Sequence, residues 1–177
     1  MRELVRLFTQ IAVLRKGPQD VPVSALLLAL TLLGYLAVNF LITSALPVDR
    51  HWPDEHWQGP LLVDSLFILL WYVVLLRLVK RPERTLQTVT AVFGVQAVLS
   101  PLLIGTEWLL RRYGEDATWN APVTFLGLLL LAWLIAAYSH VVKAALEWSG
   151  SASVALVILQ MLASWLVLFA VFPPGKS

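Results

Sequence analysis

The chain has 177 residues, 59% of them hydrophobic and 14% charged, with a mean hydropathy of +0.77 and a net charge of +2. That balance excludes an ordinary soluble domain and points to an integral membrane protein. The absence of cysteine excludes disulfides, thiolate catalysis and cysteine-based metal or cluster sites, and the thirteen basic residues are spread over several loops with no stripe suited to nucleic acid.

Residues 2–16 place Leu4, Leu7, Phe8, Ile11 and Leu14 at helical spacing, with Arg2, Arg6, Gln10 and Arg15 largely off that stripe. The pattern predicts an amphipathic interfacial helix, its aliphatic face in the acyl boundary and its arginines against lipid phosphates. Packing of the same face on the rest of the protein is the other arrangement open to it. No short apolar core with a small-residue cleavage site follows, so the first span is expected to stay in the mature chain.

Gly17-Pro-Gln-Asp-Val-Pro22 breaks that helix. Apolar runs of about 20 residues, the length a ~30 Å hydrocarbon layer requires, then predict five spans at about 24–45, 61–79, 85–110, 122–142 and 155–172. Pro47 to Pro60 form a polar loop between the first two. Pro101, inside the third span, frees the carbonyl of Ala97 and predicts a kink. Ser149–Ser153 reads as a tight turn before the fifth span. The expected fold is all-α: a single polytopic membrane domain with five transmembrane helices, preceded by the interfacial helix.

Orientation follows from Lys and Arg counted by side. With the N-terminus inside, Arg2, Arg6, Arg15, Lys16, Arg77, Lys80, Arg81, Arg84 and Lys143 face the cytoplasm, nine of the thirteen. Trp52, Trp57, Trp108 and Trp119 then form an aromatic belt at the outer interface, and the C-terminus lies outside. A bacterial inner membrane is the expected location.

The loop from His51 to Asp64 gathers the densest chemistry. His51 and His56, with Asp49, Asp54 and Glu55, are of the ligand types zinc or manganese uses. Metalloprotease histidines stand four apart on a helix with a Glu between them, whereas these stand five apart across Pro53. A solvated interfacial loop is the simpler reading, and no cofactor is expected.

Within the spans, Asn39, Asp64 and Glu107 fall in the outer third, where a polar cluster would serve as a proton relay, a cation site or a carboxylate pair. Against this, Asp64 can serve the first turn of its helix and Glu107 can pair with Arg111 one turn on. Gln96 and Gln160, near the midplane, are expected to hydrogen-bond between helices. His140, Lys143 and Arg77 lie at the inner boundary, where long cations snorkel. With Arg2, Arg6, Arg15 and Lys16, Arg77 and Lys143 are candidates for lipid headgroup contact. Ser65 adjoins Asp64 but points about 100° away from it on a helix. With no Gly-x-Ser-x-Gly elbow, P-loop or dinucleotide fingerprint in the chain, enzymatic function is not expected.

Five spans, a cytoplasmic N-terminus, Gly59-Pro60 opening the second span, and Gly94 with Pro101 in the third resemble the Yip family of Ypt/Rab-interacting membrane proteins. That family carries Asp-Leu-Tyr-Gly-Pro before its second span. Here Glu55-His56-Trp57-Gln58-Gly59-Pro60 occupies that place and keeps the Gly-Pro. The similarity extends to Trp133, Ala136, Ala137 and the serine-rich stretch at 149–153. The resemblance implies a non-enzymatic protein that organises lipids or membrane-protein partners, a second copy of itself included. Two other classes stay open: a small transporter or lipid-translocating protein with Asn39, Asp64, Gln96 and Glu107 along a polar path, and a membrane metalloenzyme built on the 51–56 loop.

Overall fold

A computed structural model describes residues 2–47 and 57–173. Among the described residues six α-helices run in chain order: α1 (Arg2–Ala12), α2 (Ala25–Ala45), α3 (Gln58–Leu78), α4 (Thr85–Tyr113), α5 (Asn120–Leu146) and α6 (Gly150–Val171). Single 3-10 turns at Pro18–Asp20 and Pro82–Arg84 precede α2 and α4, and no strand occurs among the described residues. Helices α2 to α6 are long and apolar enough to cross a membrane. At 21 residues even the shortest reaches roughly 30 Å, using 1.5 Å per residue.

The bundle is built for an apolar solvent. Leu26, Leu30 and Leu33 of α2, Leu62, Leu66 and Leu70 of α3, and Leu159, Leu162 and Leu166 of α6 form exposed stripes at helical spacing. The inward stripes are the more polar ones. On α2 the buried residues are Thr31, Tyr35, Asn39 and Thr43, and on α6 they are Ser153, Val157, Gln160 and Ser164. Lipid tails are as apolar as leucine, so burying leucine gains little here. Small and hydrogen-bonding residues therefore take the helix interfaces.

Helix α4 is the centre. Every residue from Thr88 to Gln96 is buried, which on a helix means closure on all sides. Helices α1, α2, α3 and α5 pack around it. It is the least apolar of the long helices and carries Thr88, Thr90, Gln96, Ser100 and Thr106 among its buried residues. A helix so rich in polar groups is cheapest to place where protein, not lipid, surrounds it. Pro101 lies within α4, which continues unbroken to Tyr113.

The amino-terminal segment is tied to this core at four points. The Phe8 ring lies against Gly94 of α4, where a Cβ would collide with it. Trp133 of α5 donates from Nε1 to the Ala12 carbonyl at 2.8 Å, satisfying an acceptor at the end of α1. His140 Nε2 is 2.9 Å from the Lys16 carbonyl oxygen, and Gln87 Nε2 donates to the Val21 carbonyl at 2.8 Å.

Two local expectations differ from the structure. The first helix, expected over 2–16, ends at Ala12, and Leu14 takes a left-handed conformation with φ of 62°. Ser149–Ser153 is not a free turn. Ser149 caps α6 by accepting from the Ala152 N–H, so the helix begins at Gly150, well before the expected 155.

Candidate functional site

Between α5 and α6 lies a cavity of about 540 Å3 to which α3 and α4 also contribute side chains. Its wall is aliphatic and open to the surrounding lipid: Leu131, Ile158, Leu162 and Trp165 line it and are themselves exposed. Its floor is polar. Asp64 of α3, Gln96 of α4, Tyr138 of α5, and Gln160 and Ser164 of α6 all line it.

These side chains arrive together for local reasons. Gln160 and Ser164 are one helical turn apart on the inward stripe of α6. The Ser164 hydroxyl donates to Asp64 Oδ1, joining α6 to α3. Gln96, from the enclosed stretch of α4, and Tyr138 of α5 share this lining. Two acceptors are left over: Oε1 of Gln96 and Oε1 of Gln160 are buried without a hydrogen-bond partner. Such atoms are rare in folded proteins, and each marks a place where a donor is favourable.

Behind the cavity a second polar line runs to α2. Asn39 Nδ2 donates to the Tyr35 carbonyl at 2.8 Å and to Ser100 Oγ at 3.0 Å, and the Ser100 hydroxyl donates to the Gln96 carbonyl at 2.8 Å. Asn39 and Gln96 are thus joined through Ser100, and Gln96 shares its cavity with Asp64. Glu107 stands apart. Its carboxylate is half exposed and pairs with Arg111 at 2.9 Å, one turn along α4. It does not line the cavity.

Gly59 and Pro60 occupy the first turn of α3, where backbone N–H groups have no helical acceptor and proline is tolerated. A Cβ on Gly59 would stand 3.0 Å from the Phe172 ring, so its small size lets α3 start close to the end of α6. Gly94 serves as the seat for Phe8. Arg2, Arg6, Arg15, Lys16, Arg77 and Lys143 are all exposed. His51, Asp54 and His56 lie outside the described residues. Among the described residues no group of three or more His, Asp or Glu side chains is placed to hold a metal ion.

One charged cluster went unread in the sequence. Arg84 donates through Nη1 to the Ala144 and Ala145 carbonyls at 3.1 and 3.0 Å, and through Nη2 to Glu147 Oε1 at 2.6 Å. Arg81 adds a bond to Glu147 Oε2 at 2.8 Å. A cation on the last carbonyls of α5 complements the negative end of its dipole. The two arginines hold the Glu147 carboxyl well below the ordinary range, at about 2. A space of about 440 Å3 adjoins this cluster, and of its polar side chains Arg84, Gln87, Thr88 and Glu147 are already engaged with the protein.

Tyr138 and Ser164 were also missed as site residues. The signal was present in α6: Ser153, Val157, Gln160 and Ser164 recur at intervals of four, three and four on an otherwise apolar helix. In a membrane helix that spacing marks the inward face. No family model matches the chain, and no curated protein or solved structure matches it either.

Proposed function

We propose that the chain is a non-enzymatic membrane protein that organises lipids, and that it does so by seating a membrane-derived molecule in the cavity between α5 and α6. One observation carries this reading. A space of about 540 Å3, within the usual range for small-molecule sites, has an aliphatic rim exposed to lipid and a polar floor around Asp64. That division matches an amphiphile with its head inside and its tail among the acyl chains.

The wider setting is a Yip-like bundle in a bacterial inner membrane, N-terminus in the cytoplasm and C-terminus outside. The basic count supports this orientation. It puts the α1 residues Arg2 and Arg6 on the same side as Arg77 at the end of α3 and Lys143 near the end of α5, all exposed and in reach of lipid phosphates. In this reading the exposed face of α1 lies along the interface while Phe8, Ile11 and Ala12 hold it to the bundle.

Lipid retained by the full chain after gentle purification, read by native mass spectrometry, tests the proposal. Ile158→Trp or Leu131→Trp would fill the cavity from its exposed rim, where added bulk does not strain the core. The expected result is retained lipid in the wild type and its loss in both variants. Equal retention in all three would overturn the reading.

A lipid-translocating or transport role is the second reading, favoured by the vertical spread of the polar floor. Ser164 and Gln160 stand one turn apart on α6, and Tyr138 follows across the seam on α5. Flux in liposomes that is abolished by Asp64→Asn would support it, and absence of flux with lipids and small cations would remove it.

A further inference from the structure

Building on the lipid-seating reading, we infer that the cavity is selective for a primary ammonium group, carried by a membrane amphiphile whose alkyl chain leaves through the α5–α6 rim. The unsatisfied buried side-chain atoms of the residues that line it are acceptors. Gln96 Oε1 and Gln160 Oε1 are buried without partners, in residues that are only 8% and 3% exposed. The Asp64 carboxylate, in the same lining, receives a single side-chain donor, the Ser164 hydroxyl. A carboxylate offers about four lone-pair directions, so it retains capacity for more.

Among the described residues the lining contains no Lys, Arg or His. A phosphate or carboxylate headgroup would meet acceptors and the Asp64 charge with no cation to balance them, which is costly in a low-dielectric site. A quaternary ammonium carries the right charge but has no N–H to give to Gln96 and Gln160. A hydroxyl has one proton for three acceptors. A primary ammonium has three N–H donors and one positive charge, matching two amide oxygens and one carboxylate. The exposed Leu131, Ile158, Leu162 and Trp165 provide the apolar path for its chain.

The test uses the full chain in nanodiscs with three probes of equal chain length: dodecylamine, dodecyltrimethylammonium and dodecanol. Binding is read by thermal stabilisation and native mass spectrometry. Dodecylamine is expected to bind about tenfold more tightly than either of the others, a ratio that charge-assisted hydrogen bonds readily supply. Asp64→Asn and Gln160→Leu should each bring the three probes close together, and the unliganded stability of Gln160→Leu shows that any loss is not misfolding. Equal binding of dodecylamine and dodecanol to the wild type would overturn the headgroup inference while leaving the cavity intact. Equal binding of dodecylamine and the quaternary probe would overturn the need for N–H donors. If Ile158→Trp leaves the binding of all three unchanged, the cavity reading falls with it.

Discussion

The Ser164 hydroxyl donates to the Asp64 carboxylate across the α3–α6 interface, joining residues 100 positions apart. This bond holds the carboxylate in the polar lining and ties α6 to α3. Ser164→Ala should destabilise the protein by about 0.5–2 kcal/mol, the span measured for hydrogen bonds between membrane helices. Asp64→Asn keeps an acceptor and should cost less. Unfolding in SDS checks both, and in a double-mutant cycle of Ser164→Ala with Asp64→Ala, which removes the acceptor, additive effects would show that the two side chains do not interact.

Gly94 makes room for the Phe8 ring. Gly94→Ala adds a methyl where the ring lies and should cost about 1–3 kcal/mol as overpacking. Phe8→Ala empties the same space, so the Phe8→Ala/Gly94→Ala pair should be less damaging than the sum of the two. Hydrogen exchange over residues 2–12 is the readout: Gly94→Ala should speed it and leave the far end of α5 unchanged.

The Glu147 cluster predicts a pH dependence with a definite sign. Its carboxyl titrates at about 2 instead of the ordinary 4.5, because Arg81 and Arg84 hydrogen-bond the charged form. A depressed acid contributes stability above its unfolded value and loses it as pH falls through the folded one. Wild type should therefore lose stability relative to Glu147→Gln between about pH 4.5 and 2, and the two curves should run parallel above pH 5. The effect should be small and weaken with salt, since the Glu147 side chain is 56% exposed.

Orientation can be read directly because the chain has no cysteine to give background labelling. Single cysteines replacing Glu83, in the turn before α4, and Thr118, between α4 and α5, are both on exposed residues. An impermeant maleimide added to intact cells should label the Thr118→Cys protein and reach Glu83→Cys only after permeabilisation. The opposite pattern would reverse the orientation.

What could be read from the sequence, and what could not, divides along local against tertiary physics. Five helices follow from apolar runs of sufficient length, and the Glu107–Arg111 pair follows from spacing along one helix. The partner of Asp64 could not be read, because nothing near it in sequence specifies Ser164. The same holds for Asn39 with Ser100 and for Arg84 with the end of α5. The first helix ends at Ala12 ahead of the left-handed Leu14, and the carbonyl it leaves is taken by Trp133, far along the chain. The α6 turn was misjudged for a different reason. A serine-rich stretch suits a turn, but one serine at its head is also a helix cap, and the cap prevailed.

The enclosure of α4 also orders how the protein is made. Its polar stretch from Thr88 to Gln96 leaves the ribosome before α5 exists, so the growing chain must hold Thr90 and Gln96 beside α2 or the insertion machinery until the fourth span arrives. Docking of α1 needs Gly94 on α4 together with Trp133 and His140 on α5. Helix α1 is made before either of these helices and yet finds its place only after both, so its attachment reports that the core behind it is complete.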